Sequence, residues 1–288
     1  MRKYLLSAAL LASVAAPAAQ AQFSANLGAV TDYRFRGISQ TNKKPALQGG
    51  LDYGFSNGLY VGTWASMITK DLYPAGAGLE VDFYGGWKKE LAKDFTLDLG
   101  VLYYWYPGAA YYTYGVGGTA QTAKSGNKFN NTELYIGATY QWFSAKYSYA
   151  TSNYFGASGA AFGSPAAGLG GVNSNNTATG TTTGTVNGSS KGSSYLDLSA
   201  NYGFAPKWTL NAHVGVLRVK TFGGLSYNDY KLGVTYDAGW AALSAAVIGT
   251  TAQSQFYRVP TPAAVTAGVG PTVDPTRPTL VLGILKTF

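Results

Sequence analysis

From Leu79 to Lys88 the chain alternates side-chain character with a period of two. Leu79, Val81, Phe83, Gly85 and Trp87 fall on one parity, and Glu80, Asp82, Tyr84, Gly86 and Lys88 on the other. The same pattern runs through Phe95–Tyr106, Leu134–Trp142 and Trp208–Val216. It returns near 23–33, 45–55, 59–67, 143–153, 194–204, 227–237, 240–250 and 279–288, which makes twelve segments. Period two is the signature of a strand whose faces meet different surroundings. Each segment is about ten residues long, the length a tilted strand needs to cross a bilayer's hydrocarbon layer.

The connections alternate between short and long. Ser56-Asn57-Gly58, Leu91-Ala92-Lys93, the Trp142-Phe143 junction, Ala205-Pro206 and Ala238-Gly239 are short. The stretches 34–44, 68–78, 107–130, 154–193 and 251–278 are long, with 221–226 shorter than the rest. Short turns on one side and long loops on the other describe an up-and-down transmembrane barrel. A soluble β-sandwich also alternates, but it leaves edges to protect, which closure removes. It also gives no reason for aromatics to gather at strand ends, as Trp87, Trp105, Trp142, Phe143, Trp208 and Trp240 do. The predicted fold is all-β, a transmembrane antiparallel barrel of about 12 strands.

Composition narrows the picture. Charged residues are 12% of the chain and aromatics 15%, where a water-soluble globule carries about 25% charge. There is no cysteine and one histidine, so thiolate and His-cluster metal sites are excluded and no cofactor is expected. Arg2 and Lys3 precede an apolar run from Tyr4 to Ala16 and then Ala19-Gln20-Ala21, the pattern of a secretory leader over 1–21. The expected mature domain is 22–288, in the cell outer membrane. Net charge is +8, or +6 without that leader. The bases are dispersed rather than clustered, so nucleic acid is not an expected partner. Outer-membrane lipid and lipopolysaccharide are. The last strand ends at Phe288 after Leu280, Leu282 and Ile284, a terminus suited to barrel-assembly machinery.

Thr31-Asp32-Tyr33-Arg34-Phe35-Arg36-Gly37-Ile38-Ser39-Gln40-Thr41 and Pro45-Ala46-Leu47-Gln48-Gly49-Gly50 resemble the opening of the TorF-type porins of proteobacteria. Gly62–Ser66, Leu102–Gly108, Thr132–Tyr135 and Phe143–Ser148 are similar to later parts of that family. The resemblance implies an outer-membrane channel and supplies no catalytic residue. The Gly/Thr/Asn-rich stretch 156–192 looks longer than the family requires.

Charge on a lipid-facing position is costly, so the charged residues on the polar parity are expected to line the lumen. These are Asp32, Asp52, Glu80, Asp82, Lys88, Asp98, Glu133, Lys146, Asp197, His213, Asp229 and Lys231. Arg34, Arg36, Lys43 and Lys44 fall in a long loop and are expected to form a basic mouth. Twelve strands at ~4.8 Å spacing and ~40° tilt give a backbone diameter of about 24 Å and a bore of roughly 12 Å. The loops at 107–130 and 154–193 are long enough to constrict it. Glycines on the inward parity (Gly28, Gly62, Gly100, Gly137, Gly215, Gly233) favour an open lumen.

Three functions fit: a passive channel for small hydrophilic solutes or ions, a loop-displaying adhesin, or an outer-membrane hydrolase. For the last, an outer-membrane phospholipase has Ser two residues after its His, and here that residue is Gly215. Asp82 and Asp98 are conceivable as a carboxylate pair on adjacent strands. The expected function is the channel, with no enzyme activity.

Overall fold

The computed structural model describes residues 22–70, 72, 77–114, 121–158, 188–257, 259–260 and 272–288. The expected leader at 1–21 and most of the Gly/Thr/Asn-rich stretch lie outside these residues.

Twelve antiparallel strands form one closed barrel. They are β1 (Gln22–Val30), β4 (Ala46–Gly54), β5 (Leu59–Met67), β6 (Leu79–Ala92), β7 (Phe95–Trp105), β10 (Asn131–Tyr140), β11 (Phe143–Ala150), β12 (Ser194–Ala205), β13 (Trp208–Arg218), β14 (Tyr227–Asp237), β15 (Ala242–Thr250) and β18 (Thr279–Thr287). Each pairs with the barrel strand before it, and β1 pairs with both β4 and β18 to close the ring. The long connections carry three small ladders: β2 (Arg34–Phe35) with β3 (Ile38–Ser39), β8 (Ala110–Tyr114) with β9 (Gln121–Lys128), and β16 (Val259–Pro260) with β17 (Thr272–Val273).

The alternation sorts cleanly. Leu27, Leu47, Ile136, Leu232 and Leu280 stand outward and are 50–60% exposed. Among the described residues they belong to neither of the buried apolar clusters. Trp105, Trp142, Trp208 and Trp240 are exposed near strand ends. The buried apolar residues gather instead where the long connections meet the barrel. One cluster contains Ile38, Tyr154, Leu217, Phe222, Leu225, Tyr227 and Phe256. A second contains Tyr33, Ile68, Leu102, Tyr104 and Tyr106.

The first strand departs from the expected span of 23–33. Thr31 still exchanges hydrogen bonds with Leu282, its amide donating at 2.9 Å and its hydroxyl accepting at 3.0 Å. Beyond it the chain leaves the wall, because Asp32 gathers donors from farther along. Its carboxylate accepts from Ser39 Oγ (2.5 Å), Thr41 Oγ1 (3.1 Å), the Lys43 amide (3.2 Å) and Arg34 Nε (2.8 Å). Four donors on one carboxylate fold residues 32–43 into a compact loop. At its tip Phe35 faces Ile38 across Arg36 (φ 47°) and Gly37 (φ 79°), the two positive-φ residues of a type I′ hairpin.

Candidate functional site: the lumen and its inward hairpin

Because inward positions on neighbouring strands align, one row of cross-strand partners carries charge around the wall. It runs Lys88, Asp98, Gly137, Lys146, Asp197, Gly215, Asp229 from β6 to β14. The next inward row sets Ser199 opposite His213 and His213 opposite Lys231. These rows border a lumen chamber of about 260 Å³. Asp52 and the tyrosines Tyr84 and Tyr135 line one side. Lys146, Asp197, Ser199, Asn211, His213, Asp229 and Lys231 line the other.

The two sides differ in chemistry. On the tyrosine side Tyr84 donates to Asp52 (2.6 Å) and Tyr60 to Asp98 (2.7 Å), while the Tyr60 and Tyr135 hydroxyls also bond each other. At Gly62, Gly100 and Gly215 a tyrosine from a neighbouring strand, rather than open lumen, fills the space that the missing side chain leaves. A Cβ on Gly62 would sit 2.4 Å from the Tyr84 ring, and one on Gly100 would sit 2.4 Å from the Tyr135 hydroxyl. Each glycine is the floor on which a cross-strand tyrosine lies.

On the other side His213 sits between two carboxylates, Nε2 2.8 Å from Asp229 and Nδ1 3.3 Å from Asp197. Ser199 Oγ is 3.1 Å from Nδ1 and donates to Asp197 at 2.6 Å. Serine, imidazole and carboxylate therefore meet, through a cross-strand serine that spacing along β13 did not reveal. The arrangement is unsuited to nucleophilic attack. Each ring nitrogen faces a carboxylate, and the serine proton is committed to Asp197 rather than to the ring. Asp82 and Asp98 do not form a pair either: the register sets Asp82 opposite Tyr104 and Asp98 opposite Lys88. Among the described residues no group of three or more His, Cys, Asp or Glu is placed to hold a metal ion.

The expected basic mouth is corrected in half of its members. Lys43 and Lys44 are exposed. Arg34 and Arg36, in contrast, point into the barrel, with side chains only 0% and 6% exposed. Arg34 pairs with Asp32 and donates to the Gly37 and Arg277 carbonyls and to Thr279. Arg36 makes two bonds to Glu133 on β10 (2.7 and 3.0 Å) and one to the Tyr154 hydroxyl (3.0 Å). Its guanidinium lies 4.1 Å from the Tyr195 ring centre and 4.8 Å from that of Phe35. Burial opposes the charge on Arg36, but Glu133 more than offsets it and holds the group protonated well above the ordinary arginine range.

Behind the hairpin Glu80, Asp82 and Glu133 are buried rather than exposed to a wet lumen. Glu80 accepts from Tyr33 at 3.0 Å, and its Oε2 and both Asp82 oxygens have no partner among the described residues. This hairpin, the stacked tyrosines and Ser199 were not among the expected site residues. Only the Arg36-Gly37 step between Phe35 and Ile38 signalled the first of these.

A family model described as "Bacterial protein of unknown function (Gcw_chp)" matches residues 14–276. Comparison with curated proteins gives no match. Similar solved structures include a KdgM porin, with 8% identity over 92% of this chain and 99% of that one, at a TM-score of 0.47. A NanC porin has 9% identity over 93% and 99%, at 0.48. OprD of Pseudomonas aeruginosa has 10% identity over 92% of this chain and 66% of its own, at 0.38.

Proposed function

The chain belongs to the bacterial Gcw_chp family of unknown function, and within it we propose that this protein is an outer-membrane channel for passive diffusion of small hydrophilic solutes or ions. The observation that carries the reading is the division of the wall. Outward positions are leucine, isoleucine, valine and aromatic rings, while inward ones are Asp, Lys, His, Asn, Ser and Tyr around a chamber of about 260 Å³. An apolar exterior requires hydrocarbon, and a polar interior requires water or a polar solute. The resemblance of Thr31–Gly50 to TorF-type porins supports the same reading.

The orientation follows from loop length, with long connections outside and short turns in the periplasm. Lys43 and Lys44 on the outer rim suit lipopolysaccharide phosphates. Phe288 pairs with Ala25 at the end of the barrel where the short turns lie (2.8 Å from its amide to the Ala25 carbonyl). The Ser199 hydroxyl, which donates to Asp197 rather than to His213, favours a non-enzymatic role. Purified protein in planar bilayers should show discrete conductance steps, and folded protein that never conducts would refute the channel in favour of loop display. The sign of the reversal potential in a salt gradient then reads the lumen's ion preference.

A further inference from the structure

Two cavities lie on opposite faces of one short hairpin. The polar chamber meets Arg34, Arg36 and Gly37 on the lumen face. A second cavity of about 160 Å³ meets Phe35, Ile38, Ser39 and Gln40, and is otherwise lined by rings such as Phe129, Phe155 and Tyr227. Only Phe35 of the hairpin touches both. The β2–β3 hairpin is therefore a partition, charged towards the chamber and apolar towards the outer vestibule.

The partition spans the bore. It leaves the wall at β1, and Arg36 grips Glu133 on β10. The Gly37 tip is so close to β14 and β15 that a Cβ there would lie 2.7 Å from Asp229 Cβ and 2.8 Å from the Gly249 carbonyl. Phe35 packs edge-on against Tyr104 and Phe155, each at 5.4 Å between centroids. From these contacts we infer that the β2–β3 hairpin is the constriction that sets which solutes pass, and that the Arg36–Glu133 clamp holds it across the lumen. The inference rests on the channel reading.

The closed arrangement also stores an opposing cost. Tyr33, at the root of the hairpin, donates to Glu80 and packs 5.4 Å from Trp64, whose cross-strand partner is Asp82. Carboxylate oxygens left without partners in that place are unfavourable.

Single-channel recording on three forms tests this: wild type, the double variant Arg36→Ala with Glu133→Gln, and a variant with residues 35–38 replaced by Gly-Gly. The double variant removes both charges together, so neither is left buried alone. The Gly-Gly variant deletes the hairpin tip and carries Glu133→Gln as well, so that no charge is left buried alone. Folding is checked in each by β-sheet circular dichroism. We expect unit conductance to rise at least severalfold in both variants. In liposome swelling, raffinose should enter through the variants far faster than through wild type. If both folded variants conduct and sieve as wild type does, the hairpin is not the constriction although the channel stands. If no folded form conducts, the channel reading itself fails and this inference with it.

Discussion

A tyrosine ring lying on a glycine is the smallest unit of this lumen. Tyr84 covers Gly62 and bonds Asp52, and Tyr135 covers Gly100 and meets Tyr60. The glycine leaves room for the ring, and the ring turns a bare stretch of backbone into a hydroxyl-bearing wall. Gly62→Val must push the Tyr84 ring off its floor, since even the first carbon arrives at 2.4 Å. The expected cost is about 1–3 kcal/mol, as for other overpacked sites. It would be read as a lower urea midpoint for the barrel in liposomes, and Gly54→Val, whose added Cβ meets nothing within 4 Å, should not reproduce it. The other residue-scale question concerns Ser199. Its hydroxyl donates to Asp197 rather than to the neighbouring ring, so a fluorophosphonate probe should leave it unlabelled. Mass-spectrometric detection of an adduct on Ser199 would reverse that view.

At the scale of elements, the loop from Asp32 to Lys43 is organised by one carboxylate. Asp32→Asn removes the charge facing Arg34, whose side chain is fully buried, and weakens the bonds to Ser39 and Thr41. Breaking a buried pair costs about 3–5 kcal/mol, here concentrated in a loop rather than in the barrel. Trypsin should then cut after Arg34 or Arg36 in the folded variant while sparing wild type, and equal resistance of the two would refute the assignment. This loop also marks the limit of what the sequence made readable. The twelve strands were legible because the apolar outer face and the polar inner face of a closed wall impose opposite demands on successive residues, and Leu79–Lys88 or Phe95–Trp105 record those demands directly. Asp52, Lys146, Asp197, His213, Asp229 and Lys231 were legible for the same reason. The inward hairpin was not. Its turn places Arg36, rather than Asn, Asp or Gly, at the first positive-φ position, and loop length pointed to 107–130 and 154–193 instead. The bonds that draw it inward, to Glu133 and to Arg277 and Thr279, join residues about a hundred or more positions apart. No local pattern carries such pairings.

The barrel as a whole inverts the usual arrangement of a folded chain, so one substitution has opposite consequences on its two faces. Leu232 sits at the middle of β14 and points outward, 59% exposed. Ser244 on β15 faces the chamber. In hydrocarbon an arginine at mid-depth costs about 2–4 kcal/mol, because nothing there replaces its hydration. In the lumen the same guanidinium keeps water and has acids within the same cavity. Leu232→Arg should therefore lower folding stability in lipid vesicles by roughly that amount and leave the conductance of correctly folded molecules unchanged. Ser244→Arg should fold with near wild-type stability and shift the reversal potential in a salt gradient towards anions, since it adds a fixed cation to the chamber wall. A soluble barrel makes the opposite forecast for the outer face: arginine at Leu232 would improve solubility at no cost in stability. Measuring both variants in vesicles thus tests the membrane assignment by the outward residue and the conducting lumen by the inward one. The two can fail separately.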